Sequence, residues 1–235
     1  MPGLRKGIYM SHMHIPDGVL PVWLITAGWI AAAFILAICI KRVGTTDLKR
    51  KVPLLGIISA IMIVGMTLEI VPIAYHINLT VLAGIVLGPS LAFIAVFIVD
   101  MLISMFGHGG VTVVGLNTII IGAEAVLGYY LFQLFREVMG NKSMFWASSL
   151  AALLSLFLST MIMLGIVYLS HVSPEKLGNI GHLISGTGSG INFPRFAKTV
   201  FVLSPLGWIL EAVITGLVVK YVYRVRPDLI LQERA

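Results

Sequence analysis

Uncharged apolar runs recur along the chain at residues 21–40, 53–73, 77–87, 89–106, 111–135, 143–169 and 199–222, divided by short polar connections. A run of about 20 such residues crosses a hydrocarbon core of about 30 Å as one helix. The pattern therefore predicts an all-α integral membrane protein, with about seven transmembrane helices in one bundle. The third run is the shortest. It is taken as a span that starts near His76 and continues toward Gly88, the other option being a segment buried among its neighbours or re-entrant. Only the connection at 170–198 is long, and no change of composition divides the chain. One membrane domain is expected over 13–230, with an extension at 1–12 and a cytoplasmic tail at 231–235.

Composition narrows the class further. Of the 235 residues, 58% are hydrophobic and 11% charged, against about 45–50% and about 25% in soluble domains. Too little charge remains to hold a globule of this size in water, which excludes a soluble enzyme or a nucleic-acid-binding protein despite the net charge of +6. The basic excess fits loops held at anionic lipid headgroups. A single cysteine, Cys39, rules out a disulfide framework within the chain.

The connection at 41–51 carries five basic residues, and the positive-inside rule places it in the cytoplasm. Seven spans then put the amino terminus outside and the carboxyl terminus inside. Arg136, Lys142, Lys220, Arg224, Arg226 and Arg234 join the inner side, giving eleven basic residues there against five outside. The same assignment gathers His14, His76, His108, His171 and His182 on the outer side. Arg5 and Lys6 are followed by no apolar stretch of signal-peptide type, so residues 10–20 form an outer extension of the first span.

Asp100, Glu124 and Glu211 fall inside apolar runs, where an ionised carboxylate costs about 3 kcal/mol on insertion scales, so each must face the bundle interior or a polar partner. A proton relay is one use for them. A structural hydrogen bond to groups such as Asn117 or Ser104 is the other. Small residues one turn apart, Ala27 and Ala31, Ala33 and Ala37, Gly84 and Gly88, mark helix faces for close packing, either within the bundle or against another membrane subunit.

Ligand chemistry concentrates in two places. His12 and His14 lie in the polar stretch before the first span, and His76 follows the second span. Neutral imidazole is a common ligand for transition metals, and two imidazoles brought together make a partial site. Glu69, seven residues before His76, is placed to orient an imidazole by hydrogen bonding. No phosphate-binding loop of the Gly-x-x-x-x-Gly-Lys-Ser/Thr type is present, and the Gly186–Gly190 run lacks its lysine. His-Glu-x-x-His and Gly-x-Ser-x-Gly are absent as well, which disfavours a membrane enzyme.

Four ordered motifs then coincide: Met13-His14-Ile15-Pro16-Asp17-Gly18; His76 followed by Gly88-Pro89; Phe106-Gly107-His108-Gly109-Gly110-Val111-Thr112 with Gly115 and Asn117; and Pro205-Leu206-Gly207 with Glu211. Together they resemble the CbiM/NikM family, the substrate-capture components of energy-coupling factor transporters for cobalt and nickel, over about residues 13–229. The resemblance implies a multi-pass protein of a prokaryotic plasma membrane, in which the segment before the first helix inserts into a seven-helix bundle from outside. It implies a square-planar, four-nitrogen site for Co(II) or Ni(II) as transported substrate, made by the amine of Met13, the backbone nitrogen and imidazole of His14, and the imidazole of His76. His108 matches a family position, where it either supports the site or simply makes a turn. The implied partners are a transmembrane coupling protein, cytoplasmic ATPase subunits and a small accessory membrane protein, whose cycle tips the capture subunit in the bilayer. A deprotonated amide flanked by amine and imidazole closes five- and six-membered chelate rings, and that donor set suits Ni(II) or Cu(II) over Mg(II) or Ca(II).

Twelve residues precede Met13, so a free amine at that position requires Met13 to be the true start, which is the expectation taken here. A start at Met10 would instead give an amine-Ser11-His12 chelate, and a retained extension would bring His12 or a water to the metal. The competing function is a self-sufficient secondary transporter that couples to protons through Asp100 or Glu124.

Overall fold

The computed structural model describes residues 15, 17–18, 20–43, 45–67, 76–107, 109–170 and 193–231. All regular structure among them is helical: α1 (Val22–Arg42), α2 (Thr45–Thr67), α3 (Thr80–Leu87), α4 (Pro89–Met105), α5 (Val114–Met139), α6 (Met144–Ser170) and α7 (Phe193–Val225). Short 3-10 turns lie at Asn141–Ser143 and Pro227–Leu229. By length and composition α1, α5, α6 and the Val200–Val225 part of α7 can each cross a membrane, while the 17 residues of α4 sit at the lower limit. Helix α5 is central and packs on α1, α3, α4 and α6; α6 lies in turn against α7.

Three boundaries differ from the pattern of apolar runs. The third run folds as an eight-residue helix, about 12 Å long, with every residue buried, so its helical part is an interior plug and not a span. Helix α2 starts at Thr45, with Pro53 inside it, so that residues 49–51 belong to a helix and not to a loop. Proline suits a first helical position, but within a helix it gives up one intrahelical hydrogen bond, and α2 continues through it. Helix α7 reaches back to Phe193, taking six residues from the expected loop. His171, His182 and the Gly186–Gly190 run lie outside the described residues.

Small residues set how closely the helices approach. A Cβ on Gly115 would stand 2.8 Å from the backbone of Trp29, and one on Gly128 would stand 2.7 Å from the Val81 side chain. Gly84 abuts the backbone carbonyl of Ala125, so the small face of α3 is consumed in packing against α5. In α1 the packed pair is Gly28 and Ala32, both buried, which leaves Ala27, Ala33 and Ala37 exposed. Ile30, Phe34, Val64, Met105, Leu206 and Leu217 also point outward. Such an apolar belt suits lipid and would be an aggregation surface in water.

The ends of the bundle follow from these contacts. Gly28 and Trp29 meet Leu116 and Gly115, so the early part of α1 lies beside the start of α5. Gly216 meets Ser149 and Phe145, so the late half of α7 lies beside the start of α6. One end therefore carries Lys41, Arg42, Arg136, Lys142, Lys220 and Arg224; the other carries the starts of α1 and α5.

The glycine contacts predict an asymmetry between two alanine substitutions. Gly84→Ala forces a methyl against the Ala125 carbonyl and should cost about 1–3 kcal/mol, the usual range for overpacking. Gly165→Ala, where an added Cβ meets nothing within 4 Å, should be neutral or stabilise by up to about 1 kcal/mol. Thermal unfolding of the two variants in detergent reads the difference; equal midpoints would contradict the packing described.

Candidate metal-capture site

Two non-helical segments carry polar backbone into the bundle, and the first of them lies at the end opposite the basic one. The first is the strap that leads into α1. Ile15 is fully buried, and its N–H donates to Oδ1 of Asn117 at 2.9 Å. Its carbonyl accepts from Nδ2 of the same Asn117 at 3.3 Å and from the N–H of Gly110 at 3.2 Å. The Asn117 amide thus pairs with the N–H and C=O of a single residue, as a neighbouring strand would. Two residues on, the Asp17 carboxylate accepts from the N–H groups of Val111 at 3.0 Å and Thr112 at 2.9 Å, and from the Thr112 hydroxyl. Trp29 of α1 donates its indole N–H to the Thr112 carbonyl at 2.7 Å. Thr112 therefore ties the strap, the α4–α5 turn and α1 together. The close fit requires Gly110, where a Cβ would stand 2.5 Å from the Asp17 nitrogen.

The second segment, residues 76–79, leads from α2 into α3. His76 is 8% exposed and Asn78 2% exposed. Extended backbone at this depth has no water to satisfy it, so its polar groups need protein partners. Ile77 donates to the Gly65 carbonyl of α2 at 3.2 Å. Glu211 of α7, fully buried, accepts from the N–H of Leu79 at 2.9 Å and of Asn78 at 3.4 Å, one to each carboxylate oxygen. Leu79 caps α3 in the left-handed region at φ 55°, a conformation that costs a non-glycine residue of order 1–3 kcal/mol and persists only where its surroundings hold it. The Glu211 carboxylate on its N–H, and the bond from Ala83 N–H to its carbonyl at 3.0 Å, are that hold. Charge-assisted bonds of this kind are among the stronger ones available to a backbone.

The other intramembrane carboxylates also find partners inside the bundle. Thr118 donates to Asp100 at 3.2 Å, and Ser159 donates to Glu124 at 3.1 Å. These are not the partners expected from sequence: Asn117 is engaged by Ile15, and the Ser104 hydroxyl donates to the Met101 carbonyl at 2.9 Å.

Of the residues singled out as metal donors or their supports, His76 is placed, and it is buried in the segment that leads into α3. Met13, His14, Glu69 and His108 lie outside the described residues, as does His12. Among the described residues no three His, Cys, Asp or Glu side chains are grouped to hold a metal. The structure adds three positioning residues, Asn117, Asp17 and Glu211. Asp17 and Asn117 were visible as motif members, but their bonding was not. The glycines at 109 and 110 carried the only hint that another segment passes close by.

Glu211→Leu should leave the N–H groups of Asn78 and Leu79 without acceptors, at about 1–3 kcal/mol for each buried donor. A lowered unfolding midpoint in detergent, together with weakened metal binding through displacement of His76, is the expected result. An unchanged midpoint would show that the carboxylate does not hold this segment.

Comparison with known proteins agrees on the family. The model of the CbiM family, described as the cobalt uptake substrate-specific transmembrane region, matches residues 14–229. A protein of Haloquadratum walsbyi described as a metal transport protein is 30% identical over 227 residues, covering 94% of each chain. A protein of Methanosphaerula palustris described as cobalt transport protein CbiM 2 is 26% identical, covering 94% of this chain and 91% of its own. The fold superimposes on the crystal structure of a truncated transition metal transporter with a TM-score of 0.74 and 24% identity, covering 90% of this chain and 99% of the other. This chain, a multi-pass protein of a prokaryotic plasma membrane, belongs to the CbiM family of cobalt uptake substrate-specific transmembrane components.

Proposed function

We propose that this chain is the metal-capturing component of an ATP-driven energy-coupling factor importer, taking Co(II) or Ni(II) at the outer face. The observation that carries the reading is the strap. Ile15, next in sequence to His14, is pinned at both its N–H and its C=O by Asn117, and Asp17 is locked to the α4–α5 turn. Nothing in the packing of a plain helix bundle calls for a polar segment so firmly held at the mouth of its first helix. Held there, a chelating segment at 13–14 loses less entropy on closing around an ion, which raises affinity without adding contacts. His76, buried on a backbone that Glu211 braces, is the remaining donor in this reading.

The donor set proposed is the amine of Met13, the backbone nitrogen and imidazole of His14, and the imidazole of His76. A start at Met13 accords with the family match beginning at residue 14. Cobalt is the metal named for the family, and nickel satisfies the same nitrogen donors. The distribution of basic residues supports an outer amino terminus.

Energy comes, in this proposal, from cytoplasmic ATPase subunits through a transmembrane coupling protein, with a small accessory membrane protein completing the complex. The exposed Ala33 and Ala37, one turn apart on α1, offer a face on which a partner helix can approach closely. The small residues of α3 are already used inside the bundle. Asp100 and Glu124 accept hydrogen bonds from Thr118 and Ser159, which supports a structural role for them over proton coupling.

Titration of protein with a verified amino terminus at Met13 with Co(II) and with Ni(II), followed by calorimetry, tests the reading. His76→Ala should abolish stoichiometric binding while leaving the unfolding midpoint of the apoprotein within a few degrees. Asn117→Leu should fold with a cost of about 1–3 kcal/mol for the unpaired Ile15 peptide and bind metal more weakly. Full affinity in His76→Ala would reject the site; full affinity in Asn117→Leu would reject the role of the strap.

A further inference from the structure

At the basic end of the bundle, a cavity of about 520 Å³ opens between the start of α6 and the end of α7. That volume lies in the range of small-molecule sites. Three cations line it: Lys142 from the α5–α6 connection, and Lys220 and Arg224 from α7. Lys220 and Arg224 are one helical turn apart and so share a face, with Tyr223 beside them. Among the described residues no carboxylate lines the cavity. The acidic residue nearby on the tail, Asp228, is taken up by Arg226 in a 2.8 Å ion pair.

A fourth source of positive potential comes from the backbone. Helix α6 begins at Met144 on the cavity wall, and its first turn contains no acidic residue. The positive end of the helix dipole therefore adds to the field of the three side chains. Below the cations the wall turns apolar and aromatic, with Phe145 and Trp146 in edge contact at 5.2 Å. Trp146 is 61% exposed, and Tyr221 on the neighbouring turn of α7 is 67% exposed. Exposed Trp and Tyr at one level of an apolar bundle mark the interface between hydrocarbon and water.

The geometry points to a binding site for the phosphate headgroup of an anionic phospholipid of the inner leaflet. A free anion would use the cations and leave the aromatic wall idle. A lipid uses both, its phosphate between Lys142, Lys220 and Arg224, and its glycerol and upper acyl carbons on Phe145 and Trp146. Basic pockets between transmembrane helices at the cytoplasmic surface suit such headgroups, and the anionic lipids of that leaflet supply the ligand at high local concentration. The site lies at the opposite end of the bundle from the strap and does not depend on which metal is captured. It seats the inner ends of α6 and α7 at a fixed depth, the helices that also carry Ser159 and Glu211.

The test uses the full chain, delipidated in detergent and returned to nanodiscs of phosphatidylcholine with a minor fraction of phosphatidylglycerol. Native mass spectrometry then counts the lipids retained. Wild type should keep one phosphatidylglycerol. The double variant Lys220→Ala with Arg224→Ala should lower that retention roughly tenfold, and the control double Lys41→Ala with Arg42→Ala, at the same end but outside the cavity, should not. All four side chains are exposed, so unfolding midpoints should be unchanged, confirming that the variants fold. Equal retention of phosphatidylcholine would overturn the proposal, and so would equal losses in the two doubles, which would mean diffuse charge attraction. Displacement by inorganic phosphate at matched concentration would show a soluble-anion site instead. Unchanged lipid retention in Lys220→Ala with Arg224→Ala, joined to a loss of ATP-driven uptake in the assembled complex, would assign the cavity to an acidic partner protein and reject the lipid.

Discussion

Backbone that leaves helical geometry inside a bilayer has no water to satisfy the N–H and C=O groups it frees, and each of these must find a partner in the protein. The CbiM-family chain described here meets that demand with side chains drawn from distant helices. Asn117 on α5 pairs with both the N–H and the C=O of Ile15, and Glu211 on α7 accepts from two successive N–H groups before α3. Each acceptor lies more than a hundred residues from its partner in sequence. The two irregular segments are thereby tied to the centre and to one flank of the bundle.

The same demand accounts for an interior that is polar for a membrane protein. Asp100, Glu124 and Glu211 are all buried, and hydroxyls of Thr118 and Ser159 or backbone N–H groups meet them. Thr80, the first residue of α3, is buried too, and lies beside Glu124. A short helix in mid-membrane exposes the unpaired groups of its ends, and the carboxylates of α5 and α7 stand where those ends need acceptors and neighbouring polarity. Close backbone approach at Gly84 and Gly128 makes room for α3 within the ring of longer helices.

Much of this was legible in the sequence, and the limits have physical causes. Helix number, the membrane class and the positions of α1, α4, α5 and α6 followed from apolar runs, because lipid demands long uninterrupted ones. Residues 77–87 read as a span since apolar composition measures burial in protein and burial in lipid alike; only the eight-residue length of α3 separates the two. The uncharged run that marks the second element begins at Pro53, yet α2 starts at Thr45 and runs through the proline. The small residues of α1 gave the right face by one step: Gly28 and Ala32 pack inward, while Ala27, Ala33 and Ala37 remain outside. His76 was identified by its chemistry and is buried. The clasps made by Asn117, Asp17 and Glu211 were not legible, since a hydrogen bond across a hundred residues leaves no local periodicity, and the buried carboxylates were instead assigned to partners that turned out to be occupied.

The account stands on a metal held by nitrogen from the strap and from His76 together. X-ray absorption spectroscopy of protein with a verified amino terminus at Met13, loaded with Ni(II), reads that coordination directly. The account predicts a planar shell of four nitrogen donors, with the outer-shell scattering of two imidazoles. An octahedral shell of oxygen donors, or scattering from a single imidazole, would contradict it.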